Sequence, residues 1–136
     1  MKDVFITGTF RNDWNREFNL KIASLIEEQG CSVYLPQKDS QQLGDEKKTF
    51  LEDIAGIDNA KMILAIGAKT KTANWGFEIG YCFKSGKPIV ILTDEEHPVE
   101  LMPKGAANKI LTVNNLDELD NYKEKLISEI KSLLKK

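Results

Sequence analysis

Apolar positions along the chain follow two alternating rhythms. Short β-rich runs at residues 4–7, 32–35, 61–66, 88–92 and 109–113 are separated by stretches in which apolar side chains recur three or four apart. Trp14, Phe18, Ile22, Leu25 and Ile26 mark a first helix, which Gly30 stops. Pro36 closes the second run, and a polar loop over residues 37–44 leads to a helix bearing Phe50, Leu51, Ile54 and Ile57. The third run is almost continuously apolar, as a strand buried on both faces should be. A loop then precedes a helix over residues 74–84, ended by Ser85-Gly86. Leu116, Leu119, Tyr122, Leu126, Ile130, Leu133 and Leu134 form the stripe of a long terminal helix.

Strand–helix alternation with short loops predicts a parallel sheet covered on both faces. Five strands in this rhythm give an α/β, flavodoxin-like, doubly wound sheet of order 2-1-3-4-5. Ligands of such sheets bind beyond the carboxyl ends of the strands, where the winding reverses between the first and third. That reversal brings residues 7–14 and 67–78 to the expected site.

Composition changes this picture little. The 136 residues form one domain, with 41% hydrophobic and 29% charged side chains, and no repeat, low-complexity tract or linker divides them. A net charge of -2 gives no general attraction to nucleic acid or anionic membranes, so anion binding must be local. The lysine-rich C-terminal helix is interspersed with acidic residues and reads as a solvated face. No apolar run nears the ~20 residues that span a bilayer, and the opening MKDVFITGTF lacks a signal peptide's apolar segment. Cys31 and Cys82 stand in apolar surroundings without metal-like spacing; they read as reduced core residues of a cytoplasmic protein.

Three segments could carry chemistry. Glu78, in WGFEIGY, lies early in the helix after the third strand, where the helix dipole favours its charged form. Gly76 and Gly80 flank it with small faces that would admit a ligand or a neighbouring strand. An acidic residue in a first helical turn is also commonplace, and the pattern leaves both readings open. Thr7, Gly8, Thr9 and Arg11 form a small-residue turn followed by a permanent cation, suited to an anion but equally to a plain connection. The turn matches neither a dinucleotide fingerprint nor a Walker loop. Asp53, in FLEDIAGI, sits beside an apolar stripe. His97 has no partner histidine and no Ser or Cys in a nucleophile setting, which argues against a triad.

The run FLEDIAGIDNAKMILAIGAKTKTANWGFEIGYCFKSGKPIVIL resembles the central block of the nucleoside 2-deoxyribosyltransferases. In that family a helical Asp precedes a buried strand, a Glu-(apolar)-Gly-Tyr follows it, and a Gly-Lys-Pro turn introduces the next strand. VFITGTF and PVELMPKGAANKIL resemble their counterparts too, and the likeness runs from about residue 2 to residue 119. It is specific in the combination rather than in any single motif. The resemblance implies cleavage of an N-glycosidic bond, with Glu78 as nucleophile, a covalent glycosyl-enzyme intermediate, and no metal or organic cofactor. Asp53 falls on the family's base-side Asp, and Gln37, Gln41 and Gln42 fall where the family reads the base edge. It further implies a homodimer or higher homo-oligomer, with residues 98–108 meeting a neighbouring subunit and Asn108 within a residue of the family's contributed Asn.

The chain departs from the family at three positions. Phe5 replaces a strand-1 Tyr that hydrogen-bonds the nucleophile, Lys61 replaces an Asp before the third strand, and Thr72 replaces an Asp that binds the sugar's 5′-hydroxyl. Related deoxynucleoside 5′-monophosphate N-glycosidases have a Ser at the Thr72 position and a Gly-Ser-Ile-Arg turn similar to Gly8-Thr9-Phe10-Arg11. The expected substrate is therefore a (deoxy)nucleoside or its 5′-monophosphate, with base transfer, monophosphate hydrolysis, and nucleotide binding or sensing without turnover as the competing functions.

Overall fold

The computed structural model describes residues 1–69 and 72–136. Strands β1 (Lys2–Thr7), β2 (Val33–Tyr34), β3 (Ala60–Ile66), β4 (Ile89–Asp94) and β5 (Lys109–Val113) form one parallel sheet in the order β2-β1-β3-β4-β5. The expected order is thus the observed one. Helices α1 (Asp13–Glu28), α3 (Glu46–Asp58), α4 (Ala73–Lys84) and α6 (Lys123–Leu134) cover the sheet, and α2 (Pro36–Asp39) and α5 (Leu101–Ala106) are single short turns. Part of the loop after β3, residues 70 and 71, lies outside the described residues.

Alternation along the strands sorts the core into two layers. Val4, Ile6, Met62, Leu64, Val90 and Leu92 pack with Phe18, Ile22 and Ile26 of α1 and Leu126 and Ile130 of α6. Phe5, Ile63, Ala65, Ile89 and Ile91 face the other way, against Ile57 of α3 and Ile79 and Cys82 of α4. Because β3 is central, both its faces are covered, which explains its nearly unbroken apolar run, Lys61 excepted. The winding reverses between β1 and β3, so the connections leaving their carboxyl ends diverge to opposite faces and leave a crevice between them.

Three expected elements differ in detail. The terminal stripe runs through a turn: Tyr122 Oη donates to the Leu116 carbonyl at 2.5 Å, and a 3-10 turn at Leu119–Asn121 precedes α6. Leu116 and Tyr122 are therefore buried by turn closure and not by helical periodicity. Of the stripe on α3 only Ile57 is buried; Leu51 is exposed, and Phe50 is exposed on the crevice side of the helix. The polar loop after β2 contains α2, started by Pro36 at a position that needs no N–H.

Candidate functional site

The crevice is a cleft of about 330 Å³ lined by three segments. From the β1–α1 connection come Thr7, Gly8, Thr9, Phe10 and Arg11; from α3 come Thr49 and Asp53; from the start of α4 come Thr72, Asn74, Trp75 and Glu78. Pro36 and Gln42 close the side nearest β2. A second lobe of about 350 Å³ shares Gln42, Thr49, Asp53, Asn74 and Glu78 and is floored by Phe50, Ile54, Ile57 and Phe77. Asp53 and Glu78 thus stand at the junction of a polar lobe and a mixed one with an apolar floor.

Two buried asparagines on α1 hold the loops in place. Asn19 Nδ2 donates to the Thr9 carbonyl at 3.1 Å and to Gln37 Oε1 at 3.1 Å. Asn15 Nδ2 donates to the Ala68 carbonyl at 3.3 Å, while its Oδ1 accepts from Asn12 Nδ2 at 2.8 Å. The carbonyls after β1 and β3 are thereby drawn towards α1. Gly8 lies so close to β3 that a Cβ there would meet Ile66 Cβ at 3.1 Å and Asn19 Oδ1 at 3.3 Å. A larger residue would push the turn away from the sheet.

Thr72 caps α4, accepting from Trp75 N–H at 3.2 Å. Its hydroxyl hydrogen is left to donate elsewhere. Asp53 accepts from Ser40 Oγ at 2.6 Å, and burial raises its pKa, Ser40 opposing and Glu52 adding to the rise. Glu78 is the most perturbed carboxylate of the cleft. Burial, then the charge of Asp53, pushes it up to about 7, against a hydrogen-bonding contribution from Thr7. Its Oε2 is enclosed and has no hydrogen-bond partner among the described residues. A carboxyl poised near neutrality on the wall of a cleft is suited to nucleophilic or acid–base work.

Thr7, Gly8, Thr9, Arg11, Asp53, Thr72 and Glu78 therefore converge as the topology requires. Gly76 does not. Two residues along a helix is about 200° of rotation, so with Glu78 facing the cleft Gly76 and Gly80 face away. They line an apolar groove with Ile79, Phe83, Leu101 and Met102 instead. Asn108 is also remote from its own chain's cleft: its Oδ1 accepts from Ile89 N–H at 2.8 Å, at the amino end of β4. Of the three glutamines only Gln42 lines the cleft; Gln37 is tied to Asn19 and, through Nε2, to the Arg16 carbonyl. His97 pairs with Asp94 at 2.6 Å and takes no part.

Sequence reasoning missed Asn15 and Asn19, although both lie at helical spacing with the buried Ile22 and Ile26. It also missed Tyr34 and Ser40 behind Asp53. Among the described residues no group of three His, Cys, Asp or Glu side chains could hold a metal ion, and no helix is long and apolar enough to cross a membrane.

The family described as nucleoside 2-deoxyribosyltransferase matches residues 4–129. A comparison with curated proteins finds no match. Among solved structures, a conserved protein from Enterococcus faecalis V583 is 18% identical with a TM-score of 0.79, over 97% of this chain and 98% of that one. A 2-deoxyribosyltransferase from Bacillus psychrosaccharolyticus is 17% identical with a TM-score of 0.72, over 92% and 95% of the two chains. A CMP N-glycosidase from Clostridium botulinum is 19% identical with a TM-score of 0.66, over 92% and 98%. At these identities the three structures speak for the fold.

The Glu78 environment has a consequence for stability. Its pKa rises from 4.5 to about 7 on folding, so between those values the folded protein holds a proton that the unfolded chain has released. This contribution is full below the lower value and is lost as pH rises through the upper one, a fall of roughly 3 kcal/mol. Glu78→Gln lacks that titration. Urea unfolding should find the variant near wild-type stability at about pH 4, and more stable by about that amount at pH 8. Parallel pH dependences for the two proteins would refute this account of Glu78.

Proposed function

Because the chain belongs to the nucleoside 2-deoxyribosyltransferase family, we propose that it breaks the N-glycosidic bond of a (deoxy)nucleoside or its 5′-monophosphate, with Glu78 as nucleophile. The observation that carries this reading is the pairing, in one cleft, of Glu78, titrating near neutrality and with its Oε2 unpartnered among the described residues, with the half-buried Asp53.

Ionised Glu78 attacks the anomeric carbon as the bond to the base breaks and its electron pair passes to the base nitrogen. Asp53, protonated at that moment, delivers its proton to the departing base. The oxocarbenium-like transition state is stabilised by the Glu78 charge and collapses to a glycosyl ester. A second base, or water, then attacks the same carbon, returns the proton to Asp53 and frees Glu78, with net retention. The two lobes suit this division: the polar lobe fits a sugar and its 5′ group, and the lobe floored by Phe50, Ile54, Ile57 and Phe77 fits a flat heterocycle.

The polar lobe favours a phosphate. Thr9, Arg11 and Thr72 share it, and the amino end of α4 adds the positive end of its dipole. This supports monophosphate hydrolysis as the second reading beside base transfer. The groove between α4 and α5 bears on assembly. It holds about 420 Å³, is almost wholly apolar, and is rimmed by Leu101 and Met102, 81% and 79% exposed. We infer that residues 98–108 meet a second copy there, placing Asn108 near a neighbour's site.

Three measurements test this reading. Glu78→Gln should lower base release and exchange by roughly four orders of magnitude or more while ligand binding persists, as followed by chromatography with and without acceptor base. Undiminished turnover in a folded variant would remove the central claim. Titrating that variant calorimetrically, a monophosphate should bind about ten- to a hundredfold tighter than its nucleoside. Arg11→Ala should narrow the gap and Thr72→Asp reverse it, whereas equal affinities return the plain nucleoside. Light scattering at micromolar concentration should give a multiple of 15.4 kDa, reduced by Met102→Glu; a purely monomeric wild type defeats the assembly.

A further inference from the structure

Behind Asp53 runs a chain of two hydroxyls that the proposed reaction does not use. Tyr34, on β2, pairs in register with Phe5 of β1, and their rings stack with centroids 5.4 Å apart and planes 9° from parallel. Gly56 of α3 presses on the other side. A Cβ there would come within 2.7 Å of the Tyr34 ring, so only glycine lets the helix lie this close. The ring is thus clamped between strand and helix, and its hydroxyl sits 2.5 Å from Ser40 Oγ. Ser40 itself is buried and donates to Asp53 Oδ1 at 2.6 Å. A serine has one hydroxyl hydrogen; with that hydrogen on the carboxylate, Tyr34 must be the donor to Ser40, the Glu52 carbonyl at 3.4 Å being the more distant acceptor for the same hydroxyl. Direction therefore runs one way, from Tyr34 through Ser40 to Asp53.

We propose that Tyr34 and Ser40 are positioning residues for the reaction, fixing the Asp53 carboxylate and deciding which of Asp53 and Glu78 carries the proton the pair shares. The inference rests on the assignment of Asp53 and Glu78 above. Phe5, where the family likeness implies a tyrosine beside the nucleophile, is the ring on which Tyr34 stacks. In this chain a tyrosine hydroxyl serves the other carboxylate, from the adjacent strand.

The physics of the direction is simple. A donated hydrogen bond favours the charged form of Asp53, and that charge opposes ionisation of Glu78. Glu78 is thereby kept the weaker acid, so near neutrality the free enzyme holds the shared proton on Glu78, and that proton passes to Asp53 before the ionised nucleophile attacks. The charges that act on Tyr34 besides Asp53 are acidic: Glu52 on α3, which also acts on Asp53, and Asp39 on α2, whose Oδ2 is occupied by Leu35 N–H at 2.8 Å; Arg11 lines the cleft in front of Asp53. Glu52 and Asp39 both raise the Tyr34 hydroxyl, and as acceptors neither can substitute for the donor. Around Glu78 stand Asp53, Thr7, Cys82 one helical turn on, and Arg11 across the cleft.

The test reads Glu78 directly, by carbon NMR titration of protein labelled at its glutamate side-chain carboxyls, the Glu78 signal being identified by its loss in Glu78→Gln. In Ser40→Ala, Asp53 loses its donor and keeps its proton to higher pH; neutral Asp53 no longer opposes Glu78. The Glu78 midpoint should then fall by on the order of one pH unit. Tyr34→Phe removes only an oxygen and should move it less in the same direction, and Ser40→Thr should restore the wild-type value. The acid limb of base release should move with the midpoint. A Glu78 midpoint unmoved in either Ser40→Ala or Tyr34→Phe overturns the proposal. Because the titration needs no turnover, persistent activity of Glu78→Gln would sink the nucleophile assignment alone and leave this result readable.

Discussion

Two carboxylates sharing a poorly hydrated cleft repel one another and both favour bulk water, so Asp53 and Glu78 stay together only because their helices are fixed by something else. That something is the sheet. α3 and α4 are anchored on one face by Ile57, Ile79 and Cys82, all buried against β1, β3 and β4. The apolar layer holds the acidic pair at a place neither would choose alone, and the strain appears as raised proton affinity on both. The raised proton affinity of the cleft is thus a by-product of packing one layer away.

The opposite face contributes through polar atoms. α1 is amphipathic, yet its inward side carries Asn15 and Asn19 among Phe18, Ile22 and Ile26. A buried amide is costly unless paired, and these two are paired with loop carbonyls. They turn the connections after β1 and β3 into extensions of the core. The cleft wall is accordingly built from backbone held by side chains behind it, and a substrate meets groups that are already oriented.

Sheet order was legible because strand and helix periods differ, and the nearly continuous apolar run marked β3 as a strand buried on both faces. Most of the cleft was legible for the same reason: a winding reversal between the first and third strands leaves one place where Thr7–Arg11 and Thr72–Glu78 segments can meet. Gly76 was misplaced by reading adjacency in sequence as adjacency in space, which a helix denies over two residues. Tyr34 and Ser40 were invisible for a deeper reason. Their relation to Asp53 joins three elements separated along the chain, and short hydroxyls carry no periodic signal. The helix expected at α3 is present, but its apolar stripe serves two surfaces, since Phe50 and Ile54 border the cleft and Ile57 the core.

Cys82 offers a use for the core itself. It is fully buried one helical turn beyond Glu78, with its thiol pushed up to about 12 by that burial, whereas Cys31 is only partly covered. Thiol reagents act on exposed thiolates, so in the native protein Cys82 reacts only when α4 lifts from the sheet. With Cys31 replaced, the modification rate of Cys82 becomes a clock for that opening. It times the breathing of the layer that holds the acidic pair, without any substrate in hand.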